Sequence, residues 1–499
     1  MIRAAGRRWI GRLACFFAAT LSSAAWQTPM PMMGAGRPVF VEPFTTGDGS
    51  AKLRDDVIGE LRKLGSVSVA STAASAGLIL GGGGEIWVRG YRSLNPRSGT
   101  SPSNGTPIYG GYLAVELRDQ EGGTIWSYLA TPNSAFGDVS KNLAKQIAKH
   151  VAEALQHDAA QPSPVPSTQA GTNVPGNSPP SVAVRALKGA GATFPSPLYG
   201  KWITNYRRAN PNLEITYDAT GSEAGIRKLL SGDVDFAGSD SPAAIGQLAP
   251  GDEGKYLFFP AAVGAVVPIV NLPGVAGQIA FTPEILAGIY LGRIRKWNDP
   301  ALAKVNPQVR LPDLDITVMH RSDGSGTSYV WTDYLSATSA EWKAKIGASL
   351  NPAWPVGRAA NGNEGAAEMV KEIGGSIGYV EFIYALKNHL SFGKVRNQNG
   401  EFVAASLGSI GIAAGKAAAM GEDLKVSIVN APGAGAYPIA SFTWLVVPSR
   451  DLDGGRREAL TGFLKWMTGP GQLQAAALGY LALPRDVVSR EEAQLLRTR

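Results

Sequence analysis

Asp315-Ile-Thr-Val-Met-His-Arg-Ser-Asp-Gly-Ser-Gly-Thr-Ser328 runs a strand directly into a turn of glycines and hydroxyl residues that opens a helix. Backbone N–H groups at a helix start have no intrahelical acceptor and carry the positive end of the dipole. Such a turn therefore collects donors around a negative ligand. Arg321 adds a planar charge, Ser325 and Thr327 add hydroxyls, and Gly324 and Gly326 allow close backbone approach. Read alone, the segment is more readily an ordinary capped helix, because Ser, Thr and Gly are common at helix starts.

Three other stretches change that balance. Gly189-Ala-Gly-Ala-Thr-Phe-Pro-Ser-Pro-Leu-Tyr199 is a second strand-to-helix turn, with prolines suited to a first helical turn. Thr220-Gly-Ser-Glu-Ala-Gly225 is a third, between the strand Leu213 to Tyr217 and the apolar run Ile226 to Leu230. Val234-Asp-Phe-Ala-Gly-Ser-Asp240 is a strand that ends on a carboxylate. In type and order these four segments resemble the phosphate-binding proteins of bacterial phosphate ABC transporters, the high-affinity periplasmic receptors. Ile289-Tyr-Leu-Gly-Arg-Ile-Arg-Lys-Trp-Asn298, Ser376-Ile-Gly-Tyr-Val-Glu-Phe382 and Leu478-Gly-Tyr-Leu-Ala-Leu-Pro484 agree. The likeness spans about 189–488.

The resemblance implies an α/β fold, the two-lobed periplasmic binding protein fold of type II. Its receptor domain would cover 186–499, with one lobe at about 186–264 and 436–499 and the other at about 265–435. It implies a phosphate site of Thr193, Phe194, Ser222, Asp240, Arg321, Ser325, Gly326 and Thr327, with Asp323 holding the Arg321 guanidinium. It also implies inorganic phosphate as ligand, ABC transporter permease subunits as partners, and no cofactor or metal. Asp240, taken as ionised, would accept the proton that phosphate keeps near neutral pH, whereas sulfate would meet it with lone pairs only. One departure stands out: where the family often has serine or glycine after the Ser222 position, this chain has Glu223-Ala224. A glutamate facing the cleft would repel an anion.

The remainder fits a receptor joined to something else. At 499 residues a single compact core is not expected. Arg3, Arg7, Arg8 and Arg12 precede the apolar run Leu13 to Leu21, and Ser23-Ala-Ala25 offers small residues for cleavage, so 1–25 reads as an export signal and the mature protein as periplasmic. The only cysteine, Cys15, lies in that run, so disulfides and thiolate metal sites are not expected after cleavage. Loss of the four signal arginines lowers the formal charge from +7 to +3, and no basic helix with interleaved aromatics argues for nucleic acid.

Residues 158–184, rich in Pro, Ser, Gln and Asn, read as a linker. Before it, 37–157 reads as a small α/β domain. Strands are expected at Pro38 to Pro43 and Ser66 to Ala70, and a helix at Ala51 to Leu64. A hairpin joins Leu113–Arg118 to Thr124–Tyr128, and a second helix runs from Asp138 to about Leu155, capped by Asp138 or Ser140. Gly81 to Gly84 reads as a flexible turn, since no Gly-Lys-Ser/Thr follows to make a phosphate loop. This domain leaves room for a sensing role or for docking to an envelope protein. A secreted phosphatase is the enzymatic alternative. It is disfavoured because His150, His157, His320 and His389, the only histidines, have no ligand-like spacing and Ser325 has no evident base.

Overall fold

The computed structural model describes residues 37–44, 50–93, 105–134, 137–158, 185–275, 277–416, 420–450 and 452–495. The export signal expected over 1–25 lies outside them, as does the linker expected over 158–184 apart from Asp158. No described helix is long and apolar enough to cross a membrane.

The amino-terminal part is a four-stranded sheet backed by two helices. In chain order these are β1 (Val39–Val41), α1 (Ser50–Leu64), β2 (Leu78–Ser93), β3 (Gly105–Arg118), β4 (Thr124–Ala130) and α2 (Val139–Asp158), with the strands ordered β1-β2-β3-β4. Alternation along β3 sends Leu113, Val115 and Leu117 to the helix side, where they meet Leu53, Val57 and Leu61 of α1 and Leu143, Ile147 and Val151 of α2. Asp138 caps α2, its Oδ1 accepting from the Lys141 N–H at 3.1 Å.

Two expectations are corrected here. Ser66 to Ala70 shortens to one parallel bridge, Val69 beside Val39, with Val39 N–H donating to Ser68 O and Ala70 N–H to Val39 O, after which the short helical turn Ala73–Ser75 leads the chain away. Gly81 to Gly84 is not a turn but the middle of the sixteen-residue β2, paired with Glu116 through Leu113. A Cβ at Gly81 would meet the Arg118 guanidinium and the Glu42 carboxylate, which pair across that face. Tertiary pairing has overridden a weak local preference.

The carboxy-terminal part alternates strand and helix. It runs β5 (Arg185–Gly191), α3 (Ser196–Ala209), β6 (Leu213–Asp218), α4 (Ser222–Leu230), β7 (Phe236–Ser239), α5 (Ala244–Leu248), β8 (Tyr256–Asn271), β9 (Ala280–Phe281), α6 (Pro283–Tyr290) and α7 (Pro300–Val305). There follow β10 (Thr317–Arg321), α8 (Gly326–Thr338), α9 (Ala340–Lys345), β11 (Arg358–Ala360), α10 (Gly362–Glu372), β12 (Ser376–Glu381), α11 (Phe382–Lys387), β13 (Ser391–Phe392), β14 (Lys394–Arg396) and β15 (Phe402–Val403). The chain ends with α12 (Leu407–Ala414), β16 (Ala440–Pro448), α13 (Gly454–Thr468) and α14 (Arg485–Leu495).

One strand organises both halves of this part. The first stretch of β8, Tyr256 to Ala265, pairs antiparallel with β16, which leads on to β7, β5 and β6. The last stretch, Val266 to Asn271, pairs with β12, which leads on to β10 and β11. The chain therefore passes from one lobe to the other at Ala265-Val266, inside a strand buried from Phe258 through Val270. Both lobes place the carboxyl ends of their parallel strands at this seam, where α/β folds bind ligands.

The amino-terminal sheet turns its second face to the receptor. Tyr112, Ala114 and Leu129 pack against the receptor core, Ala477 N–H donates to Ser127 Oγ, and Glu116 pairs with Lys201 of α3 at 3.1 Å. On the other lobe Trp87 stacks on His389, ring centroids 4.3 Å apart, and Glu85 pairs with the same histidine. The small domain thus touches both lobes.

Candidate functional site

Four strand-to-helix turns converge at the seam. From the β10–α8 turn, Arg321 is buried, its Nε donating to Asp323 Oδ1 at 2.7 Å and its Nη2 to Asp323 Oδ2. Asp323 also accepts from the Gly362 N–H at 3.0 Å. Burial pushes the Asp323 carboxyl up, but the Arg321 hydrogen bonds and charge, with the Gly362 N–H, outweigh it and hold it below the usual range. The guanidinium is fixed once more by its Nη2 on Thr193 Oγ1 at 3.2 Å, and the Arg321 backbone N–H donates to the Tyr379 hydroxyl at 3.2 Å. Ser325 Oγ is an N-cap, accepting from Ser328 N–H at 3.1 Å, and keeps its own hydrogen for another acceptor. Gly326 and Thr327 stand in the first turn of α8, where their N–H groups have no intrahelical acceptor.

The facing lobe supplies Thr193 and Phe194 from the turn after β5, Ser222 at the start of α4 and Asp240 at the end of β7; Phe194, Ser222 and Asp240 are fully or almost fully buried. The Thr193 and Phe194 carbonyls accept from the Tyr384 and Tyr480 hydroxyls, which pins that turn. A Cβ at Gly326 would lie 2.4 Å from both Asp240 Oδ2 and Ser222 Oγ. The lobes are therefore in contact across the site, and only glycine fits at that point. A lobe-to-lobe hydrogen bond, Glu223 N–H to Gly324 O at 2.9 Å, lies beside it. Glu223 turns its carboxylate to Arg227 of its own helix, at 2.9 Å from Nε and 2.7 Å from Nη2, so its charge is paired.

Asp240 is the electrostatic centre. Thr443 Oγ1 donates to its Oδ1 at 2.7 Å, while Oδ2 has no partner among the described residues. Burial raises the carboxyl, the Thr443 hydrogen bond and the Arg321 charge oppose it, and the result is about 7. The sequence reading took Asp240 as ionised; its surroundings make that true only above neutral pH. Arg321 Nη1 is likewise buried without a partner. One acceptor and one charged donor thus stand unsatisfied in the same closed cleft.

Sequence reasoning missed two residues. Asn363, in the first turn of α10, donates from Nδ2 to Thr193 Oγ1 at 2.9 Å and to Thr327 Oγ1 at 3.1 Å. Its only local signal was Asn361-Gly-Asn-Glu364 after a short strand. Thr443 lies within the buried, largely apolar β16, where the register with β8 shifts between Thr443 and Trp444. Such irregularities re-aim side chains. His320 stacks on Trp354 and its Nδ1 contacts Arg321 O, so it is a neighbour of the site rather than a base for Ser325.

Residues 162–470 match the family model described as the PBP superfamily domain. The chain is 41% identical over 309 residues to the phosphate-binding protein PstS of Xylella fastidiosa (strain Temecula1), covering 62% of this chain and 84% of that protein. It is 39% identical over 314 residues to the phosphate-binding protein PstS of Pasteurella multocida, covering 62% and 90%. This chain belongs to the PstS family. Among solved structures, the phosphate-binding protein of Stenotrophomonas maltophilia aligns with 62% of the chain and 93% of its own, at 21% identity and a TM-score of 0.48. The family model begins at residue 162, so the sheet of β1 to β4 lies outside it.

Proposed function

We propose that this chain binds inorganic phosphate in its monohydrogen form and hands it to the permease of an ABC importer. The observation that carries this is the pair of unsatisfied buried atoms, Asp240 Oδ2 and Arg321 Nη1. A ligand that satisfies both must accept from a cation and donate to a carboxylate, and a tetrahedral oxyanion that retains one proton does both. Sulfate has no proton, so its oxygen would face the buried Asp240 Oδ2 with lone pairs on both sides. The binding residues in this reading are Thr193, Phe194, Ser222, Asp240, Arg321, Ser325, Gly326 and Thr327, with Asp323 orienting Arg321. Relatives named phosphate-binding protein PstS support the ligand. The permease partner and the periplasmic setting follow from the same kinship.

Binding would proceed by closure, because the donors come from both lobes and meet only when Gly326 is seated against Asp240 and Ser222. Calorimetric titration of the protein, freed of bound anion, tests the reading. Phosphate should bind at pH 8 and sulfate should give no heat, and Asp240→Asn should narrow the gap between them by at least about tenfold. Equal affinity for the two anions in the wild type would refute it.

A further inference from the structure

The side chain of Asn363 is wholly buried, and its orientation is fixed by a group that can only donate: the backbone N–H of Glu381 lies 2.9 Å from Oδ1. Nδ2 must therefore face the two threonines, and both of its hydrogens are used there, at 2.9 Å on Thr193 Oγ1 and 3.1 Å on Thr327 Oγ1. A hydroxyl has one hydrogen and two lone pairs. Thr193 Oγ1 accepts from Asn363 Nδ2 at 2.9 Å, from Arg321 Nη2 at 3.2 Å and from the Asn363 backbone N–H at 3.4 Å, so its hydrogen can only point away, as a donor. Thr327 Oγ1, with one lone pair occupied, is biased the same way.

We propose that Asn363 is a specificity-determining positioning residue: by donating to Thr327, beside a Thr193 whose acceptor capacity is already taken, it orients the Thr327 hydroxyl as a donor, so that the cleft takes an oxyanion with one proton and rejects one with two. The inference rests on the phosphate reading above and extends it. Arg321 and the first-turn N–H groups are also donors only, which leaves Asp240 Oδ2 as the fixed acceptor for a P–OH group. Dihydrogen phosphate brings a second P–OH, which would meet a donor. Asp240, Arg321, Asp323, Glu364, Tyr379, Glu381, Tyr384 and Tyr480 are charged or titratable groups around this corner, and all are retained when Asn363 is changed.

The test is phosphate affinity across pH 5.5 to 8.5 in wild type, Asn363→Leu and Asn363→Asp, with folding checked by thermal melts. In the wild type, affinity should fall at least about tenfold per pH unit below phosphate's second ionisation, more steeply where Asp240 also takes up a proton, and be level above it. Asn363→Leu frees the Thr327 hydroxyl to accept, while Thr193 keeps Arg321 Nη2 and the backbone N–H of residue 363 as donors. Its affinity at pH 8 should drop, and its loss toward pH 5.5 should be shallower than that of wild type by about tenfold or more. Asn363→Asp keeps the acceptor for Glu381 N–H but draws the threonine hydrogens toward itself, and should bind phosphate about a hundredfold more weakly at pH 8. Parallel pH profiles in wild type and Asn363→Leu would overturn the inference and leave phosphate binding intact. So would a flat wild-type profile, which requires no folded variant. A wild type that binds no phosphate at any pH would overturn the functional reading itself.

Discussion

Asp240 costs the ligand-free protein stability, and the sign of that cost can be worked out. Its carboxyl is raised to about 7 in the folded cleft, against about 3.9 in an unfolded chain. Protonation therefore favours the folded state. The contribution is complete below about pH 4 and is lost progressively as pH rises to about 7, beyond which it is level. At roughly 1.4 kcal/mol per pH unit the loss is a few kcal/mol at most, reduced by any opening that lets water reach the carboxylate. Without phosphate, Asp240→Asn should be more stable than wild type at pH 8, with the difference shrinking toward pH 5; Glu491, also buried and raised, cancels, while Glu381, raised in part by the Asp240 charge, adds to the gain in the same direction. Urea unfolding at a series of pH values reads this directly. A variant less stable than wild type at pH 8 would mean that the carboxylate is already solvated. Added phosphate should reverse the order, because the ligand's proton supplies the partner that Oδ2 lacks.

The turn at the start of α8 shows what an element needs in order to build such a site. Gly326 lies at the helix start without a positive φ, so alanine there meets no backbone strain of its own. The obstacle is the other lobe, with Asp240 Oδ2 and Ser222 Oγ each 2.4 Å from the new Cβ. Gly326→Ala should therefore weaken phosphate binding by about a hundredfold or more, since the closed form is what it excludes. Gly365→Ala in α10, where nothing lies within 4 Å of the added carbon, is the matched control and should gain up to about 1 kcal/mol with affinity unchanged. Strong binding by Gly326→Ala would show that the ligand is held without seating the lobes. The same element explains what could be read in advance. Turns such as Arg321 to Thr327, Thr193-Phe194 and Ser222 announce themselves because glycine, hydroxyl and charge stand together at a strand's end. Asn363 and Thr443 did not, since an Asn in a helix start and a Thr in a buried strand gain their roles only from the groups opposite. Gly81 to Gly84 misled for the same reason: the partner strand, not local preference, decides the conformation.

At the scale of the whole molecule the amino-terminal sheet is placed to resist opening of the receptor. Its attachment to the first lobe is broad, through Leu129, Ser127 and the Glu116–Lys201 pair against α3 and the segment Pro470–Leu478. Its hold on the second lobe is narrow, centred on His389, which stacks on Trp87 and pairs with Glu85. Lobe separation about the β8 crossing must break one of these attachments, and the narrow one is the cheaper. The Glu85–His389 pair is partly exposed and is worth little, about 0–1 kcal/mol, so the ring stack, about 0.5–1.5 kcal/mol, dominates. Trp87→Ala should therefore speed phosphate release by several-fold, up to about tenfold, with a small change in thermal stability. Leu129→Ala, which opens a cavity where the sheet meets the receptor core, should instead cost about 2–5 kcal/mol of stability. Stopped-flow release of phosphate to a fluorescent trap separates the two effects. Unchanged release from Trp87→Ala, alongside the expected loss of stability in Leu129→Ala, would mean that the small domain rides on the first lobe alone and leaves closure to the cleft.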